Sequence, residues 1–343
     1  MKVLIVRLSS FGDVVHTYPA LTDLALTRPE VEIDWLVDES LAAFAGLHPA
    51  VNHTVGYAER LLRWPPTRWP GRFRARSELR NRLRLADYDL VVDLQGLLKS
   101  ASVARLAGAP IGGYDARSIR EPMASRFYAR RYAVAKDLHA VERNRRLLAA
   151  ALGYEVADEA GAFGLNPGVG APVGGLPERF CLFVHSASWP SKLWPEENWR
   201  RLAERLSAQD MAIVLPWGSE EEKARAERIA TGSASRHVLP RRLDGVALAG
   251  VVRWARFAVG LDSGLMHLAA ALGVPGVWLF GPTDPGLTGP YGPGQRIVAS
   301  TSPDAPCRTR DCGHAEAGRR CMDLVDFERV AAAVDTVLVD AGR

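Results

Sequence analysis

The sequence predicts an α/β protein of two doubly wound halves, and three observations carry that expectation. Its 343 residues exceed one ordinary core at about 150 residues per domain. Short apolar runs alternate with amphipathic stretches of helical period, the sign of parallel βαβ units. The alternation pauses once, between Gly153 and Glu178, where Asn166-Pro-Gly-Val-Gly-Ala-Pro-Val-Gly-Gly-Leu-Pro177 crowds chain breakers together. The expected division is a first domain over 1–165, a second over 178–324, and a C-terminal helix over 325–343 placed to pack back toward the first.

In the first half, Val3–Arg7 reads as a strand, a short run rich in β-branched residues, and Val14–Leu26 as the helix after it. Glu32–Val37 and Asp89–Leu94 are further strands, the second followed by a helix over Leu97–Leu106. In the second half, strand Phe180–His185 leads to helix Pro195–Ala208 and strand Ala212–Pro216 to helix Ser219–Ala230. Strand Phe257–Leu261 leads to helix Leu265–Leu272, strand Val274–Phe280 follows, and a last helix spans Asp326–Val339. Ligands of open α/β sheets collect at the carboxyl ends of the strands, so a cleft between the two halves is the expected site.

Composition narrows the class. With 43 basic and 39 acidic residues the formal charge is only +4, and all but five of the bases are arginine, the better fork for phosphate and carboxylate. The apolar run Val3–Val6 stops at Arg7, too short for a signal-peptide core. The uncharged stretch Ser263–Thr283 carries His267, Pro275 and Pro282, and so reads as helix, turn and strand instead of a membrane span. Four cysteines make no disulfide scaffold. A cytoplasmic protein is expected.

Three stretches carry the chemistry. The first strand ends in Arg7-Leu-Ser-Ser-Phe-Gly-Asp13, which puts Ser9, Ser10, Gly12 and Asp13 at the crevice floor beside a helix start able to hold an anion. The same spacing fits a capping box with Asp in place of Glu or Gln. It is neither a dinucleotide fingerprint nor a P-loop, which disfavours an NAD-dependent oxidoreductase and an ATPase. The matching stretch in the second half is His185-Ser-Ala-Ser-Trp-Pro-Ser-Lys192. Ser186, Ser188 and Lys192 suit a diphosphate, although a solvated loop lysine would look the same. The third is Gly260-Leu-Asp-Ser-Gly-Leu-Met-His267. Gly264 admits a phosphate to a helix start, and Asp262 is better suited to sugar hydroxyls, or to an N-cap. Glutamates up to Glu222 open another helix, and one of them facing the cleft would hold a ribose diol.

Other signals are weaker. Asp87-Tyr-Asp89 resembles a metal-binding pair but precedes its strand, at the end away from the crevice. Cys307, Cys312, His314 and Cys321 have loose spacing for zinc, and reduced buried thiols are the expected reading. The basic run from Arg60 to Arg84, with Trp64 and Trp69 within it, and the group Arg117, Arg120, Arg126, Arg130 and Arg131 indicate an anionic partner. Nucleic acid, a lipid headgroup at a membrane surface, or simple exposure would each account for them.

With these stretches in view, the chain resembles the bacterial lipopolysaccharide heptosyltransferases, glycosyltransferase family 9 of the GT-B class, nearly end to end. The likeness rests on Val3 through Ala20, on Asp89-Leu-Val-Val-Asp-Leu-Gln-Gly-Leu-Leu-Lys-Ser100, on His139-Ala-Val-Glu-Arg-Asn-Arg145, on the Lys192 stretch and on Asp262-Ser-Gly-Leu-Met-His267. The Ser-Ser-Phe-Gly-Asp-Val form of the first loop is similar to type I members, where type II members tend to carry Trp-Val-Gly-Asp.

The resemblance implies two Rossmann-like domains facing across a cleft, with Asp13 as general base. It implies Ser9, Ser10, Gly12, Ser186, Ala187, Ser188, Lys192, Glu222, Asp262, Ser263, Gly264, Leu265 and His267 around an ADP-L-glycero-D-manno-heptose donor. Arg60, Arg63 and Arg120 are the expected contacts to a Kdo2-lipid A acceptor. Transfer with inversion, no cofactor or metal, no nucleic acid, and peripheral contact with the cytoplasmic face of the inner membrane complete the expectation. The family often has Thr where this chain has Ser186, Ser188 and Ser263, and Ala187 interrupts the first pair, which shifts weight to backbone amides. The competing readings are a GT-B transferase or epimerase using a UDP-sugar, and a nucleic-acid binder.

Overall fold

Each half of the chain builds a six-stranded sheet in which every neighbouring pair is parallel. The computed structural model describes residues 1–58, 70–166, 168–171, 173–312 and 320–341. It divides into two units, Met1–Asn166 and Pro167–Arg343.

The first unit holds β1 (Lys2–Val6), β2 (Glu32–Asp38), β3 (Val51–Tyr57), β4 (Leu90–Asp93), β5 (Ile111–Tyr114) and β6 (Arg130–Tyr132), ordered β3-β2-β1-β4-β5-β6. The second holds β7 (Phe180–Val184), β8 (Ala212–Leu215), β9 (Arg236–Val238), β10 (Phe257–Leu261), β11 (Gly276–Phe280) and β12 (Gln295–Ala299), ordered β12-β11-β10-β7-β8-β9. Counted from its own first strand, each sheet has the doubly wound order in which chain direction across the sheet reverses beside strand one. The reversals fall between β1 and β4 and between β7 and β10. Loops leaving those strand ends diverge and open a crevice in each unit.

Helices cover both faces, so every residue of the central strands β4, β7, β10 and β11 is buried, and all but Asp93 at the end of β4 are apolar or glycine. In the second unit Trp194 and Trp199 meet edge to face at 5.3 Å, and the Trp194 indole donates to the Val325 carbonyl at 3.0 Å. The last helix, Phe327–Ala341, lies on β10, β11 and β12 and sends Val330, Val334 and Val337 into that unit's core.

Two features depart from the sequence reading. The single helix expected over Val14–Leu26 is two, Phe11–Val15 and Tyr18–Thr27. Pro19 offers no N–H to a helix running through it, but sits well in the first turn of a new one. The short strands β3, β5, β6, β9 and β12 had no clear apolar run. In β5, Gly113 is required because any side chain there would collide with the ring of Tyr128.

Candidate functional site

In the first unit, β1 leads through Arg7-Leu8-Ser9-Ser10 into the helix Phe11–Val15, and Asp13 falls in its first turn. One Asp13 oxygen, Oδ2, accepts from the Ser10 amide at 2.8 Å and from its hydroxyl at 3.0 Å. The other, Oδ1, accepts from the Arg7 guanidinium. Arg7 is 11% exposed and Asp13 37%. Burial works against the charge on Asp13, but the Arg7 cation and the two Ser10 bonds outweigh it and hold the carboxyl below its ordinary range. Asp13 therefore caps its helix and is at the same time an open-sided carboxylate.

The loop is clamped from β4. Gln95 accepts from the Leu8 amide at 2.9 Å and donates to the Ser9 carbonyl at 3.3 Å. Behind it, buried Asp93 accepts from the amides of Gln95 and Gly96 and from the hydroxyls of Ser100 and Tyr128. Burial raises the Asp93 pKa despite those four bonds. Arg120 is exposed in the loop after β5. Its neighbour Glu121 donates its amide to the Gly96 carbonyl at 3.4 Å and accepts from the Leu98 amide at 2.7 Å, which puts Arg120 on the same carboxyl edge. Arg60 and Arg63 lie outside the described residues. Arg7, Asp93 and Gln95 were not singled out in the sequence. The available signal was a strand ending in an acid, with a glutamine two positions on.

In the second unit, Lys192 belongs to the turn Pro190–Lys192 after β7, and Asp262 follows β10. The Lys192 ammonium donates to the Asp262 carboxylate at 2.7 Å and to its carbonyl at 3.0 Å, and sits 5.1 Å above the Trp189 ring. His267 Nε2 lies 3.5 Å from the other Asp262 oxygen, and its ring packs on Trp278. Burial opposes the charge on Asp262, but His267 and Lys192 prevail and draw its pKa down to about 2. Lys192 is 13% and Asp262 7% exposed, so this is a buried pair.

Ser263 occupies the N-cap of the helix Gly264–Ala271, which Asp262 does not, and Gly264 and Leu265 are its first turn. Among the described residues the Ser263 hydroxyl, like that of Thr283 after β11, is buried with no partner. The Ser186 hydroxyl is 2.9 Å from His185 Nδ1, and His185 Nε2 is 3.2 Å from the Pro216 carbonyl. Burial lowers the His185 pKa to about 4, so the ring is neutral and the Ser186 hydroxyl is engaged with it. Ala187 is half-buried and Ser188 exposed. Glu222 accepts from the Gly218 amide at 2.6 Å at the start of the helix Glu220–Ala230, beside the end of β8. The strands thus bring Lys192, Asp262, Ser263, Gly264 and His267 to one crevice, with Ser186 and Glu222 on the same edge of the sheet.

Asp89 accepts from the Lys2 amide at 2.7 Å at the amino end of the first sheet, away from Asp13. Cys307 and Cys312 are half-buried and Cys321 is buried, its pKa pushed up to about 11 by burial and by the two other thiols. Among the described residues no three His, Cys, Asp or Glu are placed to hold a metal ion, and His314 lies outside them.

The model of "Glycosyltransferase family 9 (heptosyltransferase)" matches residues 76–317. Lipopolysaccharide heptosyltransferase 1 of Pseudomonas aeruginosa is 46% identical over 99% of this chain and 98% of its own length. The protein of that name in Escherichia coli K12 is 42% identical over 87% of this chain and 93% of its own. The solved E. coli heptosyltransferase WaaC with ADP superposes with a TM-score of 0.83 at 36% identity, covering 98% of this chain and all of that one. With two Rossmann-like units of the GT-B type and identity along their whole length, the chain belongs to glycosyltransferase family 9, the heptosyltransferases.

Proposed function

We propose that this glycosyltransferase moves L-glycero-D-manno-heptose from ADP-heptose to the Kdo of Kdo2-lipid A, in the inner core of lipopolysaccharide, with inversion at the anomeric carbon. The observation that carries the reading is the 46% identity, end to end, with a type 1 enzyme. WaaC has been solved with ADP and with ADP-2-deoxy-2-fluoro heptose, which supports an adenine nucleotide donor over a UDP-sugar.

The residues fit the chemistry. Direct inversion needs a base on one face of the sugar and stabilisation of the leaving group on the other. Asp13 is the base. Its lowered pKa makes it weak, and a late proton transfer to an oxocarbenium-like transition state tolerates that. Lys192 and the helix start at Gly264 neutralise the departing ADP as fixed positive groups. Ser186, Ala187 and Ser188 line the diphosphate, Glu222 holds the ribose, and Asp262, Ser263, Leu265 and His267 hold the heptose and phosphates. Ser9, Ser10 and Gly12 complete the donor contacts. Arg120, with Arg60 and Arg63, receives the anionic acceptor.

That acceptor is a lipid, so the enzyme works at the cytoplasmic face of the inner membrane. No helix among the described residues is long and apolar enough to cross a membrane. Support for a peripheral contact comes from Leu98, Met123 and Phe127, which are 44%, 52% and 38% exposed near the exposed Arg117, Arg120 and Arg126.

Incubation of the purified protein with ADP-heptose and Kdo2-lipid A tests the reading. Free ADP and an inverted heptosyl-Kdo linkage are expected, with competition by ADP and not by UDP. Absence of transfer, or equal competition by UDP, would overturn it.

A further inference from the structure

The motif His139-Ala-Val-Glu-Arg-Asn-Arg145 has no chemical role in the reading above, and its polar members prove unequal. Asn144 is buried and donates to the His16 carbonyl at 3.0 Å. Arg145 is 2% exposed and saturated by two acids, with Asp23 at 2.6 Å and Glu142 at 2.8 Å. Both serve the fold. Arg143 does not follow them. Its Nη2 donates to a neutral partner, the Ser118 carbonyl, at 2.6 Å, and its guanidinium carbon stands 4.8 Å from the centre of the Tyr114 ring. Its Nε is buried without a partner, and among the described residues no carboxylate pairs with it.

A half-buried guanidinium is ordinarily matched by an acid, because desolvating an unpaired charge is costly. Here a carbonyl and an aromatic face fix the side chain while leaving its charge uncompensated. Tyr114, the shelf beneath it, ends β5, Ser118 lies in the loop leaving that strand, and β5 runs parallel to β4, whose carboxyl end carries Gln95 onto the Asp13 loop. Arg143 therefore belongs to the carboxyl edge that carries Asp13.

We propose that Arg143 is an acceptor-recognition residue, whose guanidinium binds the carboxylate of the sugar acid that receives the heptose. This rests on the reading of the first unit as the acceptor side. A planar guanidinium clamped at one end suits a carboxylate, and the contact orients the acceptor hydroxyl toward Asp13. A neutral sugar can accept hydrogen bonds but supplies no counter-charge, so the residue also favours acidic acceptors.

The test is a cycle between the residue and the substrate group. A soluble Kdo glycoside and its carboxyl methyl ester are compared as acceptors for the intact wild-type enzyme, Arg143→Gln and Arg143→Lys. Wild type should favour the acid over the ester by about 10-fold or more in kcat/KM, the scale of one charged hydrogen bond. Arg143→Gln should remove that preference by lowering the acid alone, with the ADP-heptose KM within about twofold, and Arg143→Lys should restore part of it. Equal losses on acid and ester, or no change on either, would overturn the proposal. A wild-type enzyme that uses neither acceptor would remove the transferase reading and the proposal with it.

Discussion

Arg7 and Asp13 form an ion pair at the end of the first strand, and the same carboxylate closes the first turn of the helix behind it. One charge thus does two jobs. Arg7 is anchored from the far side as well, donating to the Leu94 carbonyl, so it is a fixed counter-charge and not a swinging one. The pair keeps Asp13 ionised through the physiological range, at a cost in basicity.

Replacing Arg7 by Gln should expose that trade. Asp13 has a lowered pKa in the folded enzyme, and Arg7 is the largest of the causes that lower it. Without it the pKa rises toward the ordinary carboxylate value, and the acidic limb of the kcat profile moves to higher pH. A pH–rate profile of the variant checks this. An unmoved acidic limb would dissociate Arg7 from the base.

Gln95 tests positioning separately from charge. Gln95→Ala removes both clamps on the Leu8–Ser9 backbone. Turnover should fall by about 10-fold through misplacement of Asp13, with a smaller rise in donor KM because Ser9 shifts with it. Steady-state kinetics in both substrates would show it.

Lys192 and Asp262 predict a stability effect in the second unit. Asp262 has a folded pKa of about 2 against about 3.9 in an unfolded chain. Its contribution is present in full above the unfolded value and is lost as pH falls through about 2. Lys192→Ala strands a buried carboxylate, with a cost of up to about 3–5 kcal/mol that His267 offsets in part. The variant should melt earlier at neutral pH, lose most of that deficit in strong acid, and bind ADP more weakly. Melting curves against pH decide the first two points, and calorimetry the third.

Chelation should leave turnover intact. Lys192 and the Gly264 helix start supply the positive groups, while Asp89 is tied to the Lys2 amide at the other end of the sheet. Activity before and after EDTA, with magnesium or manganese added back, is the measurement. Metal-dependent turnover would contradict this.

Long apolar strands such as Phe180–Val184 and Phe257–Leu261 were legible because burial on both faces writes itself as an unbroken run. Ile111-Gly-Gly-Tyr114 was not, since Gly113 is chosen for what Tyr128 needs and not for strand propensity. Asp13, Lys192, Asp262 and His267 could be singled out because each follows a strand in chain order. Gln95 was illegible because it reaches the loop from the end of β4, far from Asp13 in sequence and brought close by the β1–β4 pairing, and Arg7, six residues before Asp13, was illegible because only the turn of the loop lays its guanidinium on the carboxylate. Arg143 and Arg145 stand two positions apart and look equivalent in the sequence. Helical phase turns them to different sides, and only one meets acids.

The role of Asp13 is tested most directly by Asp13→Asn, which keeps the size of the side chain and an oxygen to cap the helix. Single-turnover transfer from saturating ADP-heptose to Kdo2-lipid A should fall by about 10²-fold or more, while ADP affinity measured by calorimetry stays at the wild-type level. Near-wild-type transfer, or a parallel loss of ADP affinity, would show that Asp13 is not the base.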